Sequence, residues 1–170
     1  SRLSPRNQQV ARYLHQQQFG TLLFDLLTEK EDIHFQNRFD IELLTKRLVS
    51  VTGWLEKQPV TLGMSLGYFG ASTGAASAIR AAAILPQIQA VVSRGGRPDL
   101  AGATQLAKLE APTLLIVGSL DTEVIRLNEW AAEQIKGVSK LEIVPGATHL
   151  FEEEGTMDKV CELASGWFRH

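Results

Sequence analysis

The run Gly70-Ala71-Ser72-Thr73-Gly74 lies between residues 60–69 (VTLGMSLGYF), which read as a buried strand, and residues 75–85 (AASAIRAAAIL), rich in the strongest helix former. A G-x-S-x-G turn between strand and helix needs small residues on both sides of the serine, because a Cβ there collides with the neighbouring backbone. Such a turn lifts the serine oxygen above the sheet, and the helix N-terminus behind it favours developing negative charge. A tight turn that happens to contain a serine is the plainer reading. The strand-turn-helix context instead favours Ser72 as a candidate nucleophile. Two other glycine-rich readings fail. No lysine precedes the serine as in a phosphate-binding loop, and Gly67, Gly70 and Gly74 do not have the G-x-G-x-x-G spacing of a dinucleotide fingerprint.

Working outward, Ser4-Pro5 is a helix start, and Val10, Tyr13 and Leu14 give that helix an apolar stripe ending near Gly20. Residues 21–27 (TLLFDLL) read as a short buried strand, and the polar residues 28–38 as a loop, the expected place for any lid. Ile41, Leu44, Leu48, Val51 and Leu55 mark one face of a helix closed by Pro59. Further strands are expected at 88–93, at 113–118 (TLLIVG) and at 140–144. A helix striped by Val124, Leu127, Ala131 and Ile135 precedes the last strand. One lined by Met157, Val160, Cys161, Ala164, Trp167 and Phe168 closes the chain. Alternation of this kind implies an α/β fold, a mostly parallel sheet with helices on both faces, whose ligands sit beyond the carboxyl ends of the strands.

A chain of 170 residues is expected to form one domain, residues 1–170, burying roughly two-thirds of its unfolded surface. Seventeen Lys and Arg against 19 Asp and Glu leave no basic field for nucleic acid or an acidic membrane. No apolar run approaches the ~20 residues of a membrane span, and the first residues lack a signal-peptide core. A lone cysteine, Cys161, excludes an internal disulfide and fits a cytoplasmic location. It also lies at helical spacing among apolar residues, as a core thiol does. No Cys/His cluster has metal-ligand spacing, so neither metal nor cofactor is expected.

Three residues follow strands in the order Ser72, Asp121, His149, the chain order of a nucleophile-acid-base triad on such a sheet. Histidine suits proton removal near neutrality, and a carboxylate fixes its tautomer and stabilises its cation. Taken alone, Asp121 reads as a cap for the following helix, and His149 as a surface histidine. Taken jointly, the triad accounts for all three. Glu123 is the second-choice acid, and His15, His34 and His170 have weaker claims. Arg94 and Arg97 flank two glycines after a strand. They are candidates for binding an anionic substrate group, or else a solvated turn whose arginines pair with Asp99 or Asp25. Asp25, within an apolar run, should find a cation or backbone donors.

Residues 4–7 (SPRN), 25–28 (DLLT), 67–76 (GYFGASTGAA), 92–100 (VSRGGRPDL) and 146–153 (GATHLFEE) together resemble the dienelactone-hydrolase-like branch of the α/β-hydrolases, nearly end to end. The resemblance implies a hydrolase fold, the triad Ser72-Asp121-His149, and small ester or lactone substrates. It also implies Thr73 N–H as one oxyanion donor. Dienelactone hydrolase itself has cysteine where this chain has Ser72, which makes a generic carboxylic ester the expected substrate. In the family an early strand and its loop precede the first helix and supply a second oxyanion donor. The expectation is therefore a core lacking the N-terminal strands: either a fragment, the favoured reading, feebly active or inactive by itself, or a domain that pairs its strands differently. Hydrolase and acyltransferase would use the same residues. The alternative is a non-catalytic module that binds an anion through residues 93–99.

Overall fold

The computed structural model describes residues 1–170. Four strands, β1 (Leu66–Ala71), β2 (Ile88–Arg94), β3 (Thr113–Gly118) and β4 (Ser139–Val144), form a parallel sheet in the order β1-β2-β3-β4. Every residue of β3 is buried, as a central strand covered on both faces requires. Alternate side chains divide between two cores. Val91 and Leu115 face a cluster with Ile41, Leu44 and Leu48 of α3 (Ile41–Leu55), Ile79 of α4 (Thr73–Ile84), Leu106 of the short α5 (Ala103–Leu106) and Ala131 of α6 (Thr122–Gln134). Val92, Leu114 and Ile116 face the other cluster, with Val10 and Leu14 of α1 (Pro5–Gln16) and Met157, Val160 and Cys161 of α7 (Thr156–Phe168). The α/β architecture read from the element order is the one observed.

Local signals explain most boundaries. The Ser4 side chain accepts from Asn7 N–H, with Pro5 in the first helical turn, so α1 starts where the sequence places it. Cys161 is buried, and burial pushes its thiol up to about 11, as suits a core thiol. Asp25 meets Arg2, through its backbone N–H at 2.6 Å and Nε at 3.4 Å.

Three expectations fail. Residues 21–27 form no strand: no backbone hydrogen bond joins them to other main chain, although Phe24, Leu26 and Leu27 pack against the core. A strand exists only through its ladder, and β1 pairs with β2 alone. The strand entering Ser72 begins at Leu66 rather than residue 60, and Val60, Leu62 and Met64 lie exposed in turns. Residues 28–38 are not plain loop. Thr28 and Glu31 close a reciprocal capping box on the short α2 (Glu29–Asp32), and a 3₁₀ turn follows at Phe35–Phe39.

Candidate active site

Ser72 occupies the junction of β1 and α4 with φ 50° and ψ −122°. For a residue with a side chain this conformation costs ~1–3 kcal/mol and persists only where its surroundings enforce it. Those surroundings are visible. Ser72 N–H donates to the Arg94 carbonyl at 3.4 Å, and its own carbonyl accepts from Arg97 N–H at 3.2 Å. A Cβ on Gly70 would stand 2.7 Å from the backbone of Gly74 and Ala75, so glycine is obligatory there. A Cβ on Gly74 would meet nothing within 4 Å, so the need for small residues holds on one side of Ser72 only.

His149 reaches Ser72 from the loop after β4. Its Nε2 lies 3.0 Å from Ser72 Oγ, and its Nδ1 lies 2.6 Å from Asp121 Oδ2. An ionised carboxylate only accepts, so Nδ1 carries the proton and Nε2 offers its lone pair to the serine hydroxyl. Asp121 begins α6 but its side chain makes no capping bond, which removes the helix-cap alternative. Its side chain is 15% exposed against 39% for His149, so the carboxylate lies deeper than the imidazole it holds. Glu123 is exposed and makes no bond to the imidazole. His15 bonds Thr21, while His34 and His170 stand on the surface, away from this cluster.

The histidine loop is fastened from below. Thr148 donates its N–H to both Glu153 oxygens, at 3.1 and 3.2 Å, and its hydroxyl to Oε1 at 2.5 Å. The Thr148 hydroxyl holds the Glu153 carboxyl below the usual range. Phe151, buried and in the left-handed region at φ 53°, plugs the loop into the α7 side of the core. Gly95, at φ 52°, lets β2 turn beside the loop, since a Cβ there would come within 3.2 Å of the His149 carbonyl.

The two candidate arginines separate. Arg97 lines the cleft above Ser72, but its Nε and Nη2 donate to Asp99 at 2.9 and 2.8 Å. Arg94 is 7% exposed, lies over the Phe151 ring and does not line the cleft. Burial, then the nearby Arg6 charge, pushes its guanidinium down to about 10.

The cleft itself encloses about 400 Å³, within the ~300–1,000 Å³ usual for small-molecule sites. Ser72, Thr73, Asp121 and His149 line one part of it, and Phe35, Arg38 and Phe39 another. Sequence reasoning missed those last three. The signal was present in FQNRF, two aromatic residues four apart in an otherwise polar stretch.

No family model matches the chain. Two curated proteins of Mycobacterium tuberculosis, from strains H37Rv and CDC 1551, are each 56% identical over 169 residues and carry the name "Putative phosphoribosyl transferase". The match covers 99% of this chain but 38% of theirs, so the chain spans under two-fifths of their length. Among solved structures, dienelactone hydrolase from Anabaena variabilis is 53% identical with a TM-score of 0.95, over 100% of this chain and 81% of that one. Est1E from Butyrivibrio proteoclasticus, at 17% identity and a TM-score of 0.79 over 99% of this chain and 82% of its own, shares the fold. With its sheet, elbow and loops aligned throughout to the Anabaena enzyme, the chain belongs to the dienelactone-hydrolase branch of the α/β-hydrolases.

Proposed function

We propose that this chain is a serine hydrolase that cleaves small carboxylic esters or lactones through an acyl-enzyme. The observation that carries the reading is the unbroken hydrogen-bond chain Ser72 Oγ–His149 Nε2 and His149 Nδ1–Asp121 Oδ2. In the first half-reaction Oγ attacks the ester carbonyl carbon while Nε2 takes the hydroxyl proton. The tetrahedral oxyanion is met by the N–H of Thr73, in the first turn of α4, where helix N–H groups have no intrahelical acceptor. Collapse expels the alkoxide, which receives the proton from Nε2, and leaves the acyl group on Ser72. Water then attacks the acyl carbon, giving its proton to Nε2, and the acid departs as Oγ regains that proton. Asp121 stabilises the imidazolium in both halves without itself being protonated.

Of the candidate substrate contacts, Arg97 keeps its Nη1 donors free for a substrate oxygen, since only Nε and Nη2 are engaged by Asp99. The transferase name stays with the longer relatives, of which this chain matches 38%. Nucleophile, base and orienting acid, here within bonding distance of one another, are the groups acyl transfer requires.

Active-site labelling tests the reading. A fluorophosphonate should attach to the folded protein at Ser72, and Ser72→Ala should abolish the adduct. A folded protein that neither labels nor hydrolyses p-nitrophenyl acetate would overturn it.

A further inference from the structure

The cleft over Ser72 has two walls of different chemistry. Lining the same cleft as Ser72, Asp121 and His149, Phe35 and Phe39 are 65% and 51% exposed, yet their rings meet edge to face at a centroid distance of 5.3 Å. Exposed phenyl rings normally turn inward or mark a recognition surface. Arg38 sits 5.6 Å over the Phe35 ring and is itself held by Asp32, through Nε at 2.7 Å and Nη2 at 3.0 Å, which favours this placement of the Phe35 ring. The arrangement keeps two ring surfaces presented to the cleft.

The charges around the cleft are closed. Arg38 is matched by Asp32 and Arg97 by Asp99, each through two hydrogen bonds. The carboxylate of Asp121 is taken up by the His149 imidazole. An anionic substrate would therefore find no uncompensated cation lining the cleft. A flat, neutral substrate group would find aromatic surface whose hydration is readily surrendered.

We propose that the cleft takes uncharged esters of aryl-substituted carboxylic acids, with the substrate ring against the Phe35–Phe39 pair and the ester carbonyl over Ser72. The substrate class rests on the hydrolase reading above; the ring-binding surface does not. Val124, from the first turn of α6, adds an aliphatic surface to the lining.

A matched set of three esters tests the proposal: methyl 3-phenylpropanoate, methyl hexanoate, and the first compound bearing a para-carboxylate. Methyl 3-phenylpropanoate, the phenyl-bearing ester, should exceed both others in kcat/KM by roughly tenfold or more, the order expected for one aromatic contact and one unfavourable charge. In the Phe35→Ala/Phe39→Ala double variant the phenyl-to-hexanoate ratio should fall to near one. Binding of the same three esters to Ser72→Ala, read by NMR titration, should follow the same order without any turnover. Equal binding of the phenyl and aliphatic esters, or preference for the carboxylate, would overturn the ring site. Failure of fluorophosphonate labelling with the binding order intact would overturn hydrolysis alone.

Discussion

The two walls of the cleft are built by opposite means. The triad wall is made of strand ends and the turns that leave them. Its backbone is locked by Ser72, Arg94 and Arg97 bonding one another, by Gly70 under α4, and by Glu153 gripping Thr148. The aromatic wall is a surface segment, residues 28–39, whose main-chain bonds stay within its own turns; the Thr28–Glu31 box and Asp32 on Arg38 brace it internally, and Glu31 on Arg47 ties it to α3. On the proposed reading, the reacting groups, which need angstrom-level placement, sit where main chain fixes them, and the recognition surface, which tolerates adjustment, sits where ion pairs tie it down.

If that division holds, substitutions on the first wall should act on rate or folding, and those on the second on substrate preference. The largest expected effect is Ser72→Ala, which should lower kcat for p-nitrophenyl acetate by about 10⁴- to 10⁶-fold without loss of fold. Asp121→Asn should cost about 10³- to 10⁴-fold in kcat, because the amide permits the wrong imidazole tautomer. A rise in KM alone, with kcat preserved, would show that Asp121 does not orient His149.

Gly70 and Gly74 provide a sharper cut within the elbow. Gly70→Ala places a methyl 2.7 Å from backbone that cannot move without moving α4, and should cost about 1–3 kcal/mol in urea unfolding. Gly74→Ala enters open space in the first turn of a helix and should be neutral or stabilising by up to ~1 kcal/mol. Equal penalties would mean that the elbow is constrained on both sides after all.

This contrast also marks how far the sequence was legible. β2, β3 and β4 could be placed because apolar runs bounded by turn residues coincide with ladders that form. The run 21–27 has the same composition and fails, since a ladder depends on a neighbour and β1 offers none to it. Ser72, Asp121 and His149 were legible as a set because their order along the chain is also their order along the strand ends, although Asp121 alone read as a helix cap. Thr28 followed by Glu31 carried the capping signal for α2, but a box this short is easily lost in a polar stretch. The aromatic wall was illegible for a different reason. Phe35 and Phe39 read as loop residues because nothing local tells whether an exposed ring faces solvent or a cleft.

The smallest effect concerns how the aromatic wall is attached, and it has a defined pH window. Glu31 accepts from Arg47 Nη2 at 2.6 Å and Nη1 at 3.1 Å, and from Thr28 N–H at 2.8 Å. The Arg47 bond, then the Thr28 N–H, lower its carboxyl from the usual 4.5 to about 2. A carboxyl depressed in the folded state contributes its full share above its ordinary value and loses it as pH falls through the folded value. Protection of the amides of residues 28–39 against hydrogen exchange should thus hold at pH 5 and decline between pH 4.5 and about 2. Asp32, depressed by Arg38, titrates in the same direction, so the informative quantity is the difference from Glu31→Gln. That variant should be less protected already at pH 5 and should respond less to acid, while the histidine loop at 146–153 keeps the same profile in both proteins. Glu153, itself depressed by Thr148, gives that loop an acid response of its own, so the deciding comparison is the effect of Glu31→Gln: if it shifts the profiles of both segments equally, the walls are one mechanical unit, and the division between fixed chemistry and adjustable recognition fails.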